Sequence, residues 1–378
     1  MDLQTLRDQI DGIDEQLLAL FLKRMETVGE VAAYKKEHAL PTLQQGRERE
    51  ILSRVTKEAG DKAGYAKILF STLMDLSRSY QNRILKDRSP LQEEIAQALE
   101  TTPKLFPDRG TVACQGVEGA YSQIACDKLF SMPDIVYFKS FEGVFQAVEQ
   151  GLCEYGVLPI ENSSHGTVSA VYDLMRHYKF HILRSIKVQV NHMLLANPGT
   201  RRDGIHEIFS HEQALGQCAA YLKQFPNAKI TVVENTAVAA KLVSESGRTD
   251  VAAISSRDCA ALYGLAILEE DVQDQASNFT RFICITKELR IYPGASRISL
   301  MLSLPHRPGS LYSMIAKFSA LGLNLIKIES RPIPGRDFEF LFYFDMEASV
   351  YSDEVLALLG ELSEEPELFI LLGCYSEV

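Results

Sequence analysis

The sequence predicts a protein of three parts: an all-helical segment, a two-lobed α/β domain and a small α+β module of the ferredoxin-like type. Apolar residues recur every seven positions in the first part, short strands alternate with helices in the second, and the third has the order βαββαβ. A chain of 378 residues is also too long for one ordinary domain. The predicted boundaries are 1–90 for the helical segment, 91–109 for a linker, 110–287 for the α/β domain and 296–378 for the module.

The composition narrows the class of protein. With 46% hydrophobic and 24% charged residues, the chain can bury a sizeable core. The net charge of −11 provides no basic face for nucleic acid. The apolar runs are too short for a membrane span, and the amino terminus lacks the basic start of a signal peptide, so we expect a cytoplasmic protein. The seven cysteines are scattered without CxxC spacing, which predicts small buried hydrophobes and neither disulfides nor metal ligands.

The first part is helical throughout. Its first helix is predicted from Leu3 to His38, ending before Pro41, and two shorter helices follow at about 44–59 and 63–87. The apolar stripe of the first helix occupies two heptad positions: Leu3, Ile10, Leu17 and Val31, and Leu6, Ile13, Leu20 and Tyr34. A helix of about 36 residues spans about 54 Å, more than the shorter helices can cover. The pattern therefore predicts an intertwined homodimer.

Charged residues interrupt this apolar stripe. Arg24 lies within it, Arg7 and Lys35 flank it, and Ser77 and Gln81 share one face of the third helix. Such residues can fix the register of packed helices or pair internally. However, the first helix lacks anionic partners for its three cations, and an uncompensated buried cation is costly. A dianionic ligand would satisfy them, because guanidinium groups bind carboxylates with two hydrogen bonds.

The second part contains two series of strands and helices. The first series has the strands TVACQG, DIVYF and EYGVLPI, with helices at 121–130, near 141–150 and from about 167. A long extended stretch, FHILRSIKVQVNHMLLA, leads to the second series: EIFS with helix 212–224, KITVVEN with helix 236–245, and VAAIS with helix 256–263. The chain returns through TRFICITK. One outgoing and one returning connection predict two lobes with a cleft between them.

The third part alternates in the order expected of a ferredoxin-like module. Its predicted elements are the strand RISLMLSLP, the helix GSLYSMIAKFSALG, the strands NLIKIESRPIP and FEFLFYFDME, the helix SDEVLALLGEL and the strand LFILLGC. Residues 335–337 are predicted to form the turn between the middle strands.

Short polar strings lie at the ends of predicted strands and helices. In the second part they are QGVEGAYS, PIENSSHGT, FSHEQAL and NFTRF, and in the third HRPGSLYSMIAKF and IESRPIPG. Each can be a plain connection or a helix cap, and GVEG is too sparse for a dinucleotide loop. Their position at equivalent ends of a two-lobed sheet favours a binding cleft.

The helical segment resembles the all-helical chorismate mutase family over essentially all of residues 1–90. The resemblance rests on LRDQIDGIDEQLLALFLKRMETVGEVAAYKK, GRERE and LSRSYQ. The chorismate-binding residues that it implies are Arg7 (from the partner subunit), Arg24, Lys35, Gln44, Arg47, Glu48, Ser77 and Gln81. In this family Lys35 and Gln81 hold the ether oxygen, which gains charge as the C–O bond breaks. Gln44 stands where the family often has Asp.

The four strings of the second part resemble, by their combination and order, the prephenate dehydratase family over about 110–287. This resemblance implies catalysis by Thr280 at the leaving hydroxyl of prephenate. Residues implied in binding the carboxylates and the carbonyl are Asn162, Ser163, Thr167, Ser210, His211 and Arg281. Val117 and Glu212 replace prolines that are common in the family, which changes the backbone rather than a functional group. Metal-ligand motifs are missing from the sequence, so we expect neither a metal nor a cofactor.

The third part resembles an ACT domain, a family in which these two strings bind an amino acid at a dimer interface. The implied effector is L-phenylalanine, and its implied contacts are Pro308, Gly309, Ser310, Leu311, Glu329, Ser330, Arg331 and Pro332. Glu329 is expected to bind the ammonium, and Gly309 lets backbone amides approach the ligand. Ser310 replaces the usual Ala.

Together the three resemblances imply a bifunctional chorismate mutase–prephenate dehydratase of phenylalanine biosynthesis that is inhibited by its product. We expect a homodimer or a higher oligomer, with no nucleic-acid or membrane partner. Three alternatives stay open at this point. The two-lobed middle domain is expected to have a fold like that of type 2 periplasmic binding proteins, so it can also be a non-catalytic binding protein. The dehydratase can prefer arogenate, and the helical segment can serve only for dimerisation.

Overall fold

The computed structural model describes residues 2–38, 40, 44–85, 88–275, 277–333, 339–364 and 366–378. Within this part the helices are α1 (Leu3–Glu37), α2 (Gln45–Glu58), α3 (Ala63–Leu85), α4 (Pro90–Thr101), α5 (Tyr121–Leu129), α6 (Phe141–Glu149), α7 (Ser169–Tyr178), α8 (Glu212–Gln217), α9 (Ala219–Leu222), α10 (Thr236–Ser246), α11 (Arg257–Tyr263), α12 (Ser310–Ala320) and α13 (Asp353–Glu364). The strands are β1 (Arg109–Gln115), β2 (Met132–Phe138), β3 (Tyr155–Asn162), β4 (Gly166–Thr167), β5 (His181–Gln189), β6 (Met193–Ala196), β7 (Glu207–Ser210), β8 (Lys229–Val232), β9 (Val251–Ser255), β10 (Ala266–Glu269), β11 (Phe279–Thr286), β12 (Arg297–Ser303), β13 (Asn324–Pro332), β14 (Phe340–Glu347) and β15 (Phe369–Glu377).

Helices α1, α2 and α3 form the amino-terminal segment. The carboxylate of Asp2 caps α1 by accepting a hydrogen bond from the Thr5 amide at 2.8 Å. The helix ends one residue before the predicted position, while Pro41, its predicted terminator, lies outside the described residues. Ala32 and Lys35 are the buried residues of α1, whereas Leu3 and Leu20 are both 64% exposed. Most of the predicted apolar stripe is thus uncovered within one chain.

The predicted linker contains helix α4. A capping box starts it, because the Ser89 hydroxyl accepts from the Gln92 amide and the Gln92 side chain accepts from the Ser89 amide. Ile95 and Ala98 are buried in the core of the carboxyl-terminal module. The side chain of Gln92 also donates to the Leu356 carbonyl of α13 at 3.1 Å. Residues 90–101 are therefore attached to the last part of the chain.

The middle of the chain forms two sheets. The first lobe has the strand order β5-β11-β3-β1-β2, with β4 beside β3, and the second lobe has the order β10-β6-β9-β7-β8. The extended stretch predicted as one element is two strands in different sheets, so the outgoing connection crosses between the lobes at residues 190–192. Strand β11 returns the chain to the first lobe. The predicted helix at 212–224 is likewise divided into α8 and α9.

The carboxyl-terminal module has the predicted βαββαβ order and an antiparallel sheet, β13-β14-β12-β15. The predicted turn at 335–337 lies outside the described residues. Strand β15 also pairs in parallel with β5, which joins the module and the first lobe in one ten-stranded sheet. Gly373 permits this approach, since a Cβ there would lie 2.3 Å from the Ile182 carbonyl oxygen.

All seven cysteines are buried, as their apolar surroundings predicted. In the part of the chain that the structure describes, every helix is too short or too polar to cross a membrane.

Candidate active sites

The first candidate site lies between α1 and α3. The Arg24 guanidinium donates to the Leu73 carbonyl at 3.1 Å and to the Ser77 hydroxyl. One face of α3 further along holds Gln81, whose side-chain oxygen accepts from the Lys35 ammonium at 3.1 Å. Lys35, Ser77 and Gln81 are each less than one tenth exposed. The structure therefore brings Arg24, Lys35, Ser77 and Gln81 together between α1 and α3.

Burial changes the pKa values of the two cations in this cluster. It lowers the pKa of Arg24 and that of Lys35, although the carboxylate of Glu48 partly opposes the shift at Lys35. Within the cluster, Arg24 and Lys35 donate hydrogen bonds to neutral oxygen atoms. An anionic ligand would stabilise the two positive charges at this position.

Three other predicted chorismate ligands, Gln44, Arg47 and Glu48, are at the start of α2. Glu48 accepts from Arg78, a residue that the sequence analysis missed although it lies in the quoted string LSRSYQ. Arg47 forms an exposed ion pair with Glu50 at 2.8 Å, and Gln44 is exposed at the start of α2.

Arg7 lies much further away. It precedes Arg24 by 17 residues on the same helix, which corresponds to about 25 Å along the axis. The two arginines of one chain cannot bind the same small molecule.

The second candidate site lies where β3 ends and the antiparallel strand β11 begins. Asn162 and Thr280 are directly opposite in the pairing of these strands. The Asn162 amide nitrogen donates to the Thr280 hydroxyl at 3.0 Å and to the Asn278 side chain at 3.0 Å. The Ser163 hydroxyl accepts from the Phe279 amide at 2.9 Å. Because the Thr280 oxygen accepts from Asn162, its own proton is available to a ligand.

Polar side chains connect this site to the second lobe. The Asn162 side-chain oxygen accepts from the backbone amide of His165 at 3.0 Å. The His165 ring lies 3.2 Å from the side-chain nitrogen of Gln217 on α8, and the Gln217 oxygen lies 2.8 Å from His192 Nε2. His192 is in the crossing segment between the lobes, and burial lowers its pKa. The sequence analysis missed these roles, although Asn278 and His165 were inside the quoted strings and Gln217 lies just beyond one.

Four predicted prephenate ligands have other hydrogen-bond or ion-pair partners in the structure. The predicted role of Arg281 in binding prephenate is corrected, because its guanidinium forms a buried ion pair with Asp345 of the carboxyl-terminal module at 2.6 Å. Successive residues of a strand face opposite sides, so Arg281 cannot share the face of Thr280. Thr167 donates to Glu329, and Ser210 donates to the Ile254 carbonyl at 2.7 Å inside the second lobe.

His211 has a local role in the structure. Its Nδ1 accepts from the Gln213 amide at 3.3 Å and so caps α8. Burial lowers the pKa of this imidazole, which favours its neutral form.

The two strings of the carboxyl-terminal module lie at one end of its sheet. Ser303, just before the first string, and Arg331, in the second, both pair with Leu341 of β14. The first string contains Gly309, which has φ +88° at the start of α12, a conformation that glycine adopts readily. In the second string Glu329 faces Lys327 at 3.4 Å, and Arg331 pairs with Asp173 of α7 at 2.9 Å.

Comparison with known proteins agrees with this organisation. A family model described as prephenate dehydratase matches residues 112–290, and one described as chorismate mutase type II matches residues 6–82. The bifunctional chorismate mutase/prephenate dehydratase of Escherichia coli (strain K12) is 31% identical over 382 residues, covering 99% of this chain and 96% of that protein. The chain belongs to the bifunctional chorismate mutase/prephenate dehydratase family.

Two further relatives each match 70% of this chain. The Arabidopsis thaliana protein named arogenate dehydratase/prephenate dehydratase 1 is 40% identical over 281 residues, covering 70% of this chain and 71% of that protein. A prephenate dehydratase from Arthrobacter aurescens, solved in complex with L-Phe, superposes with a TM-score of 0.64 at 28% identity, covering 70% of this chain and 89% of that one.

A member of the bifunctional chorismate mutase/prephenate dehydratase family catalyses two steps of phenylalanine biosynthesis. This protein rearranges chorismate to prephenate and converts prephenate to phenylpyruvate. The first step needs no base or nucleophile, only a compact substrate conformer and positive charge at the ether oxygen. In the second step the carboxylate leaves as carbon dioxide, its electron pair enters the ring, and the hydroxide that is expelled gains a proton to leave as water.

Proposed function

We propose that chorismate binds in the cluster of Arg24, Lys35, Ser77 and Gln81. Support comes from the buried ammonium of Lys35 beside the Gln81 amide, since together they provide a cation and a second hydrogen-bonding group for the ether oxygen. Arg24 binds one substrate carboxylate, and Glu48 accepts from the substrate hydroxyl after it exchanges its bond with Arg78. Arg47 and Gln44 are further candidate ligands, supported by their position at the start of α2 close to Glu48.

A second subunit completes each mutase site in this proposal. The uncovered stripe of α1 packs against the same stripe of a partner, and this places Arg7 of the partner subunit over Arg24. Within one chain Arg7 and Arg24 are separated by about 25 Å, at about 1.5 Å per residue. The Arg7 that contacts the ligand must therefore come from another chain.

We further propose that prephenate binds in the cleft beside Asn162, Ser163 and Thr280. Asn162 orients the Thr280 hydroxyl, which donates to the departing hydroxide, while Gln217 and His165 hold the lobes together around the substrate. A threonine hydroxyl is a weak acid, so its role is to position and stabilise the leaving group rather than to transfer a full proton early. Enclosure between the lobes favours loss of the carboxylate charge.

Two single substitutions test the separate sites. Arg24→Ala should abolish turnover of chorismate and leave added prephenate a substrate, whereas Thr280→Ala should do the reverse and let prephenate accumulate from chorismate. Prephenate and phenylpyruvate are measured separately in each reaction. Loss of both activities in either folded variant would contradict the model of two sites.

We also propose that the carboxyl-terminal module is an ACT domain that binds L-phenylalanine and lowers dehydratase activity from a distance. The relative from Arthrobacter aurescens was solved with L-Phe, and the strings with Gly309 and Glu329 lie at one end of the sheet here. A cytoplasmic location is consistent with this biosynthetic role.

Arogenate is the second candidate substrate of the dehydratase, because the relative from Arabidopsis thaliana carries arogenate in its name. Arogenate has an ammonium where prephenate has a keto oxygen. Measuring kcat/KM for both compounds with the purified protein decides between them, and a higher value for prephenate is expected.

A further inference from the structure

Four charged side chains meet where the dehydratase domain joins the carboxyl-terminal module. Glu161 of β3 and Arg281 of β11 are opposite each other in one pair of strands, and Lys327 of β13 and Asp345 of β14 are opposite each other in another. Arg281 lies 2.6 Å from Asp345 and 3.3 Å from Glu161, and Lys327 lies 2.9 Å from Glu161. Each charge of the dehydratase domain therefore meets an opposite charge of the module.

Three of these four side chains are almost fully enclosed. The side chains of Arg281, Asp345 and Lys327 are 6%, 2% and 10% exposed, and that of Glu161 is 36% exposed. The Ser299 hydroxyl donates to Asp345 as well. Burial by itself lowers the pKa of Arg281, but the adjacent Asp345 carboxylate more than offsets this and raises it, so the guanidinium stays charged. Removing one member leaves an unpaired charge in a place that water scarcely reaches.

The cluster lies directly behind the proposed dehydratase site. Glu161 immediately precedes Asn162, and Arg281 immediately follows Thr280, on two strands that pair with each other. Because side chains alternate between the faces of a strand, Asn162 and Thr280 face the cleft while Glu161 and Arg281 face the module. Any change in the position of the charged pair therefore moves the pair that contacts the substrate.

We propose that Glu161 and Arg281 are positioning residues of the dehydratase, and that Lys327 and Asp345 hold them so that Asn162 and Thr280 keep their spacing. The inference rests on the proposed site at Thr280 and adds the support behind it. It makes the carboxyl-terminal module a part of the dehydratase scaffold, because two of the four charges belong to that module.

Asp345→Asn and Lys327→Gln in the full chain test this inference. Each removes one charge with little change of shape. The kcat for prephenate should fall about tenfold or more, since displacement of about 1 Å at a reacting group can cost about 100-fold. KM should change less, and turnover of chorismate by the same protein should stay at its wild-type value. Lys327→Arg keeps the charge and should restore kcat.

Glu377→Gln is the matched control. It breaks ion pairs with Arg297 at 2.7 Å and with Lys187 at 3.0 Å at the same junction of sheets, and Glu377 itself pairs with Ser185 of β5, whereas Thr280 pairs with Val188. Dehydratase kcat should be unchanged in this variant. An equal loss in Glu377→Gln would show that any weakening of the junction has the same effect, which would overturn the positioning role.

Thr280→Ala separates failure of the inference from failure of the proposed site. If Thr280→Ala keeps dehydratase activity, both ideas are wrong. If it loses activity while Lys327→Gln and Asp345→Asn keep wild-type kcat, the site stands and the positioning role is overturned. Should Asp345→Asn not fold, the comparison of Lys327→Gln with Lys327→Arg decides alone.

Discussion

At the scale of single residues, Lys35 combines two requirements that oppose each other. Its ammonium must be charged to stabilise the ether oxygen as the C–O bond breaks. Its burial beside α3 lowers its pKa and so favours loss of that charge. The Glu48 carboxylate partly restores the charged form, and a bound dianion does so more strongly. The free enzyme is therefore more sensitive to alkaline pH than the complex with chorismate.

We expect kcat/KM for chorismate to decline as pH rises through the lowered pKa of Lys35, below the value of about 10.4 that is typical of an exposed lysine. The sign follows because the active form is the protonated one, and kcat/KM reports the free enzyme. A pH profile of initial rates measures it, with prephenate turnover by the same protein as the control for alkaline unfolding. Lys35→Arg should lose the decline, because a guanidinium stays charged; a decline at the same pH in that variant would assign it to another group.

Consecutive residues also show where sequence reasoning reached its limit. The string NFTRF drew attention to the correct place, but treating its residues as one ligand set ignored the alternation of a strand, which sends Thr280 and Arg281 to opposite faces. The partner of Arg281 is Asp345, 64 residues later. Contacts between such distant positions depend on how two sheets join, and no local pattern encodes that.

At the scale of elements, the sequence predicted the helix bounds best where a heptad pattern of apolar residues continued over many turns. The bounds of α1 differ from the predicted ones by a single residue, and the hydrogen bond of Lys35 with Gln81 joins two residues that the family resemblance placed at one ligand atom. Helix α4 was missed inside a polar stretch, although Ser89-Pro90 with Gln92 is a helix-start pattern. The apolar residues of α4 contact the carboxyl-terminal module, so the neighbouring sequence does not predict what the helix packs against.

The length of α1 makes a prediction about subunits. A dimer of one Arg7→Ala subunit and one Arg24→Ala subunit should have one intact mutase site, because the intact Arg24 and the intact Arg7 meet in it. We expect about half of the wild-type mutase activity per dimer, although each variant alone is inactive. Co-expression with two different tags and purification through both gives the mixed dimer for assay.

A mixed dimer of Arg24→Ala and Ser77→Ala is the matched control, since both residues belong to the cluster of one subunit. Each of its two sites carries a defect, so it should show only the activity of the variants. Equal activity of the two mixed dimers would contradict the exchange of Arg7 between subunits.

At the scale of the whole molecule, the carboxyl-terminal module contacts both other parts. Strand β15 extends the sheet of the first dehydratase lobe, and α13 contacts α3 and α4, where the Ser79 hydroxyl donates to Glu361 at 2.6 Å. The Glu329 carboxylate, proposed to bind the effector ammonium, is bonded to Thr167 beside the dehydratase site. An ammonium that binds Glu329 must compete with Thr167 and Lys327, so effector binding acts on contacts that cross the junction.

We therefore expect phenylalanine to bind two arrangements of this junction with different affinity, as allosteric coupling requires. A coupling of about 1–3 kcal/mol would change apparent affinity by about 5–150-fold.

Glu329→Gln should weaken phenylalanine binding in calorimetry. Deleting 296–378 should leave a dehydratase that ignores phenylalanine, with a lower kcat because Lys327 and Asp345 are gone; Arg281 is then solvated, so its charge is tolerated. Phenylalanine binding to the truncated protein as tightly as to the full chain, or direct competition with prephenate, would place the effector in the cleft and refute the regulatory assignment.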